Sequence, residues 1–351
     1  MLSDDPAYGV KPRLIDLPSP FALEPGTVRL VAPGEGLSEE QLDQLRDGTL
    51  GRPFIIDYGR TRNLFLTIES VQSSMRLDEP DALVAPYTRK MMAFLLFIPA
   101  PRHVLMIGLG GGSLAKFCYR HLPHTRISVV EINPDVIALR EAFAIPDDDQ
   151  RFEIVNDDAA KFLAKGRVRP DIILVDAFDA AGVAPSLASS DFYKRASQCM
   201  TPEGVLVMNL AGDKTRYAAH IESLRSAFPE SIRLVPVDGD DNVLVFACRN
   251  RQMAELPDFL SNRAHHLERG LGLQFSRYLE RLHAGEVLNA GSAPSKHASS
   301  VRPKCVLDSD PASEASNAPA LPQLRNSLSE RLKDLRNARR QPAWPTQPWS
   351  T

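Results

Sequence analysis

What this 351-residue chain has little of narrows its class first. Cysteine occurs four times, as Cys118, Cys199, Cys248 and Cys305, with no CxxC pair, so neither a disulfide framework nor a zinc cage is expected. Long apolar runs are missing: Met91–Ile98 stops at Pro99, well short of the roughly 18 residues of a membrane span. The opening MLSDDPAYGVKPRLIDLPSP carries acids and prolines where a secretion signal has basic residues and then an apolar stretch. An excess of either charge is missing too, with Lys+Arg 41 against Asp+Glu 44 and a net charge of −3. An electrostatic nucleic-acid binder shows a clustered basic surface and a pI above about 9. His103, His121 and His124 lack metal-ligand spacing. The expectation is a cytoplasmic protein with reduced cysteines, acting without nucleic acid, membrane or metal.

Hydrophobic residues make up 43% of the chain, enough for a large core, and 28 prolines exceed the usual level of about 5%. Many of those prolines fall in the first 50 residues and after residue 286. From Asn289 to Gln323 the chain has no Phe, Trp or Tyr and is dominated by Ser, Ala and Pro, a composition that cannot offset the entropy of ordering. The expected organisation is an N-terminal arm with a short helix (1–50), a small β meander and linker helix (51–98), a main α/β domain (99–250), C-terminal helices (251–285) and a disordered tail (286–351). Within that tail, Leu324, Leu328, Leu332 and Leu335 have the spacing of a short amphipathic helix.

Between His103 and Cys248 short β-branched runs alternate with helix-length segments, the pattern of βαβ units on a parallel sheet. Strands are expected at HVLMIG from His103, RISVVE from Arg126, FEIV from Phe152, DIILVD from Asp171 and GVLVMNL from Gly204. Helices are expected at Leu114–His121, Pro134–Ala142, Ala159–Ala164, Ser190–Cys199 and Lys214–Ala227. IRLVPV and NVLVFAC are separated only by Asp238–Asp241, which is too short for a crossover helix and right for a hairpin. Upstream, Phe54–Arg76 reads as a meander, and Ser38 with Gln41 as a capping box.

Chemistry concentrates at the strand ends. Gly108-Leu109-Gly110-Gly111-Gly112-Ser113 follows the first strand and precedes a helix, where glycine permits a tight turn and close approach of backbone to a ligand. GxGxG is satisfied by Gly108, Gly110 and Gly112, while GxGxxG fails at Ser113, which with the terminal hairpin disfavours a dinucleotide-dependent oxidoreductase. Glu131 ends the second strand at the distance expected of an acid that accepts two ribose hydroxyls. Asp157 and Asp158 follow the third strand, positioned either for an adenine amine or, for Asp158, as a helix N-cap. Asp176 and Asp179 sit in VDAFDAAG at the end of the fourth, in the crevice where α/β sheets bind ligands. A carboxylate there can hold a substrate cation and accept its proton.

From about Leu64 to Cys248 the assembled pattern resembles the spermidine synthase family of polyamine aminopropyltransferases. On that resemblance GLGGGS corresponds to the family's GGGDGG loop, Glu131 to its ribose acid, Asp157 and Asp158 to its adenine-side pair, and Asp176–Ala180 to its catalytic segment. Gln72 in VQSSMRLDE is similar to the family's nucleoside-reaching glutamine. The resemblance implies a seven-stranded, doubly wound SAM-methyltransferase-like sheet with its last strand antiparallel and a terminal β hairpin. It implies Asp176 and Asp179 as catalytic residues; Gln72, Gly108, Gly110, Gly111, Gly112, Glu131, Asp157 and Asp158 as binding residues; S-adenosylmethionine (SAM) or its decarboxylated form as co-substrate; a small amine as acceptor; and a homodimer.

Two departures stand out. The acid inside the family's glycine loop falls on Gly111, and its YHE segment on Tyr87-Thr88-Arg89, where a cation replaces an anion. Without these amine anchors, methyl transfer from ordinary SAM competes with aminopropyl transfer, since loss of the acid at Gly111 removes a charge that repels the SAM carboxylate and Arg89, if it faces the site, would attract it. A catalytically idle nucleoside-binding module is the reading from another class.

Overall fold

A computed structural model describes residues 14–19, 26–31, 38–47, 49–68, 70–179, 182–183, 187, 189–211, 217–229, 231–238, 242–250 and 255–288. The tail with its amphipathic segment, the tip of the Asp238–Asp241 turn and the side chain of Asp179 lie outside the described parts.

The chain opens with strands β1 (Leu14–Pro18) and β2 (Thr27–Val31) and helix α1 (Glu39–Asp47). Ser38 and Gln41 cap α1 reciprocally: the Gln41 amide donates to Ser38 Oγ at 3.2 Å, and the Ser38 amide to Gln41 Oε1 at 2.9 Å. The meander follows as β3 (Phe54–Tyr58), β4 (Thr61–Thr67) and β5 (Ser70–Arg76). It is the second half of a five-stranded antiparallel sheet in the order β1-β2-β3-β4-β5. The sequence reading anticipated only a helix before it, because LIDLP and TVRLV are short and flanked by prolines. Helix α2 (Pro86–Met91), with proline in its first turn, runs into a buried 3-10 turn over Met92–Leu96.

The main sheet is built from β6 (His103–Ile107), α3 (Ser113–His121), β7 (Arg126–Glu131), α4 (Pro134–Ala138), β8 (Phe152–Asn156), α5 (Ala159–Ala164) and β9 (Ile172–Val175). After a two-residue pair, β10 (Phe178–Asp179) and β11 (Gly182–Val183), come α6 (Ser190–Cys199), β12 (Val205–Leu210), α7 (Tyr217–Ala227), β13 (Ser231–Pro236) and β14 (Val243–Cys248). Then α8 (Leu260–Leu271), α9 (Phe275–Ala284) and β15 (Glu286–Leu288) end the described chain.

The order across the sheet is β15-β13-β14-β12-β9-β6-β7-β8. Strands β12, β9, β6, β7 and β8 are mutually parallel, and β14 is antiparallel to both β12 and β13. The expected hairpin is present, but it does not close the sheet: Ile232 pairs with Leu288, so β15 adds an eighth strand at the edge. Helix α4 also ends at Ala138, not Ala142, and Leu139–Ala144 continue as turns.

Alternation along the central strands places Val104, Met106, Ile172 and Leu174 in the core on one face, and Leu105, Ile107, Ile173 and Val175 in the core on the other. Burial of each such side chain stabilises the fold by about 1.5–3 kcal/mol. Ile55, Leu64 and Met75 of the small sheet join the first of these cores, so the β5 edge is held against the strand ends of the main sheet.

Candidate active site

The ends of β6, β7, β8 and β9 contribute to one cavity of about 380 Å³ between the two sheets. The turn after β6 is forced by β9 beside it. Asp176 N donates to Ile107 O at 2.9 Å, and a Cβ on Gly108 would fall 2.3 Å from the Asp176 carbonyl oxygen. With φ at +92°, only glycine fits there. The loop then turns its Leu109 amide onto Glu131 Oε2 at 2.9 Å. Glu131 Oε1 accepts from the Asn133 amide at 2.8 Å, and burial nevertheless holds this acid above the usual carboxylate range. Each oxygen keeps a further lone pair for a ligand hydroxyl.

Asp157 and Asp158 both line the cavity. Lys165 Nζ lies 2.6 Å from Asp157 Oδ2 and lowers that acid's pKa. Asp158 caps α5 by accepting from the Lys161 amide at 3.0 Å. Gln72 faces the cavity from β5 and donates to Ser70 Oγ.

Asp176 receives two hydrogen bonds, from Asn209 Nδ2 at 3.0 Å and Tyr87 Oη at 3.1 Å. Burial raises its pKa, and the two bonds oppose that rise. The Asn209 carbonyl oxygen is buried without a partner. The backbone of Asp179 belongs to β10, paired with Gly182 of β11.

Sequence reasoning missed Asn209 and the Tyr87 contact with Asp176. Asn209 had a weak signal, a polar residue within the apolar VLVMNL strand; Tyr87 was noted only as part of a departure. Arg89 corrects an expectation: its guanidinium donates to the carbonyls of Leu83 (2.7 Å) and Val84 (2.9 Å), and it is not part of the cavity wall. At Gly111, a Cβ would meet Ser73 Oγ at 2.7 Å and the Phe143 ring at 2.9 Å, so the space a side chain needs is filled from β5 and from the turn after α4.

Among the described residues the cavity wall thus carries four carboxylates, Glu131, Asp157, Asp158 and Asp176, and no Lys, Arg or His. A wall with that balance favours a cationic ligand.

Comparison with known proteins bears on which one. The spermine/spermidine synthase domain model matches residues 85–224. A polyamine aminopropyltransferase of Chromobacterium violaceum is 40% identical over 239 residues, covering 68% of this chain and 91% of that protein. One of Neisseria meningitidis serogroup A is 39% identical over 238 residues, covering 67% and 90%. In fold alone, the chain is similar to a probable spermidine synthase from Corynebacterium glutamicum, at a TM-score of 0.50 and 17% identity over 69% of this chain and 95% of that one. Identity at this level, sustained along nearly the full length of the relatives, together with a domain match over the residues that include Glu131 and Asp176, makes the chain a member of the spermine/spermidine synthase family of transferases.

Proposed function

We propose that this protein transfers the aminopropyl group of decarboxylated SAM to a small amine. The observation that carries the proposal is the cavity wall, which among the described residues has four carboxylates and no cation, only Asp157 being paired from outside it by Lys165, with Asp176 held between Tyr87 and Asn209. Both partners of the reaction, a sulfonium and an amine, are cations at neutral pH, and each needs an acid where it docks.

The fit is specific in kind. Glu131 offers two oxygens to ribose hydroxyls, Gln72 reaches the nucleoside from β5, and Asp157 with Asp158 faces the adenine amine. Gly108 and Gly110 line the turn on which the nucleoside lies, and Gly111 and Gly112 leave room beneath it for Phe143 and Ile145. The sulfonium supplies an electrophilic carbon: the amine lone pair forms the C–N bond as the C–S bond breaks, its electron pair leaving with sulfur as methylthioadenosine. Asp176 holds the incoming ammonium, accepts its proton to free the lone pair, and is joined in that role by Asp179. The gain comes from orientation of the two reactants.

Incubation with decarboxylated SAM and putrescine should release methylthioadenosine. Its absence, with SAM bound and S-adenosylhomocysteine formed from SAM and an acceptor, would replace this reading by methyl transfer, which the neutral Gly111 favours. Calorimetric titration of NAD, SAM and decarboxylated SAM separates both from an oxidoreductase, and nucleoside binding without turnover would identify an idle module.

A further inference from the structure

The cavity is divided by charge. Its carboxylates come from the ends of β7, β8 and β9, whereas the lining residues supplied by the loop after β6, by Ser113 and by Ser73 of β5 are uncharged. At that end Ser73 of β5 and Ser113, the first residue of α3, line the wall with their hydroxyl oxygens 3.4 Å apart. Both are half-buried. Nothing larger can reach in from the loop, because Ser73 and Phe143 occupy the space beside Gly111. The nearby cation does not enter either: Lys116 is buried and donates to the Phe143 carbonyl at 2.7 Å.

With the nucleoside at Glu131 and the reacting carbon turned toward Asp176, the far end of the sulfonium's three-carbon arm is left facing this neutral corner. We propose that the Ser73–Ser113 hydroxyl pair receives the terminal group of that arm, and that this corner accepts an ammonium and an amino-carboxylate alike. A hydroxyl both accepts and donates, so the pair can take an ammonium N–H or give its protons to a carboxylate. Selection between decarboxylated SAM and SAM needs a charge that repels one of them, and none stands here. The inference rests on the nucleoside–sulfonium reading above.

Calorimetry with methylthioadenosine, decarboxylated SAM and SAM tests it on the wild type, Ser113→Asp and Ser113→Asn. The two sulfoniums should bind the wild type within about tenfold of each other, and an acid at residue 113 should move the ratio toward decarboxylated SAM by at least about tenfold. Ser113→Asp places its acid in the first turn of α3, where negative charge is favourable, so the variant should fold. Ser113→Asn should leave the ratio within about threefold, and methylthioadenosine, which lacks the charged arm, should bind all three proteins equally. A wild-type preference beyond about tenfold, or a ratio unmoved by Ser113→Asp while methylthioadenosine still binds, overturns the role of the pair. Loss of methylthioadenosine binding by the wild type would instead overturn the nucleoside reading, and this inference with it.

Discussion

In the proposed reaction Asp176 is the proton acceptor, and its neighbours set the pH at which it can serve. Burial favours its neutral form; the bonds from Asn209 and Tyr87 favour the charged one, and the net shift is upward. As the base, Asp176 must be ionised, so kcat/KM should climb with pH along an acidic limb lying above the usual carboxylate range. Tyr87→Phe removes one of the two bonds holding the charged form, and should move that limb to higher pH in a rate profile; an unmoved limb would assign it to another group. Asp176→Asn should cost about 10²–10⁴ in rate and abolish the limb. The same shift has a stability consequence of definite sign. An acid whose folded pKa is raised binds its proton more tightly in the folded state, so its contribution falls as pH rises from the ordinary carboxylate range through the raised value. Denaturant titrations should show a smaller fall in Asp176→Asn than in the wild type, the remainder belonging to Glu131, whose pKa is also raised. Glu131 and Asp176 were legible because each is an acid ending an apolar strand. Tyr87 and Asn209 lie 89 and 33 residues from Asp176 in sequence, and no local spacing encodes such a meeting.

The glycine loop works as an element only because of what lies under it. Ile145 packs where a Cβ on Gly112 would be, Phe143 closes on Gly111, and Ala144 between them has a left-handed φ of 51°. The turn Leu139–Ile145 replaces the last helical turns read from the sequence: helical spacing continues to Ala142, but the floor needs both side chains aimed at the loop. Gly111→Ala should cost about 1–3 kcal/mol, since a serine hydroxyl and a ring must give way. Gly108→Ala should cost more, because it meets a backbone carbonyl and a positive φ together. Chemical denaturation would rank the two, and equal costs would refute the floor as described. Lys116 supports the same turn from α3 through the Phe143 carbonyl, and burial pulls its pKa down to about 7. Between about 7 and the ordinary lysine range the unfolded chain holds a proton that the folded one lacks, so stability should rise with pH there, by at most about 5 kcal/mol. Lys116→Met should flatten that rise relative to the wild type in unfolding titrations at pH 7 and pH 10.

At the scale of the molecule the α/β order was legible because βαβ units write themselves as alternating periods, while β1, β2 and β15 were not, since strands of three to five residues carry too little pattern. The missed strands matter, because β1 and β2 extend the small sheet whose β4 and β5 wall the cavity. Arg62 of β4 ties that sheet to the floor, pairing with Asp57 and donating to the Ala142 carbonyl at 2.6 Å. Residues of both sheets share one core, so the two should melt as a unit, and a ligand seated between them should stabilise that unit. At a hundredfold excess over Kd the stabilisation is about 2.7 kcal/mol, or about 5–10 °C for a folded region of this size. Methylthioadenosine should therefore raise a single calorimetric transition by that amount. Glu131→Ala, which removes the proposed ribose acid, should abolish the rise at the same ligand concentration, while Asp176→Asn, on the proposed acceptor side, should keep it. Two separate transitions, only one of them moved by the nucleoside, would show that the small sheet does not contribute to the binding wall.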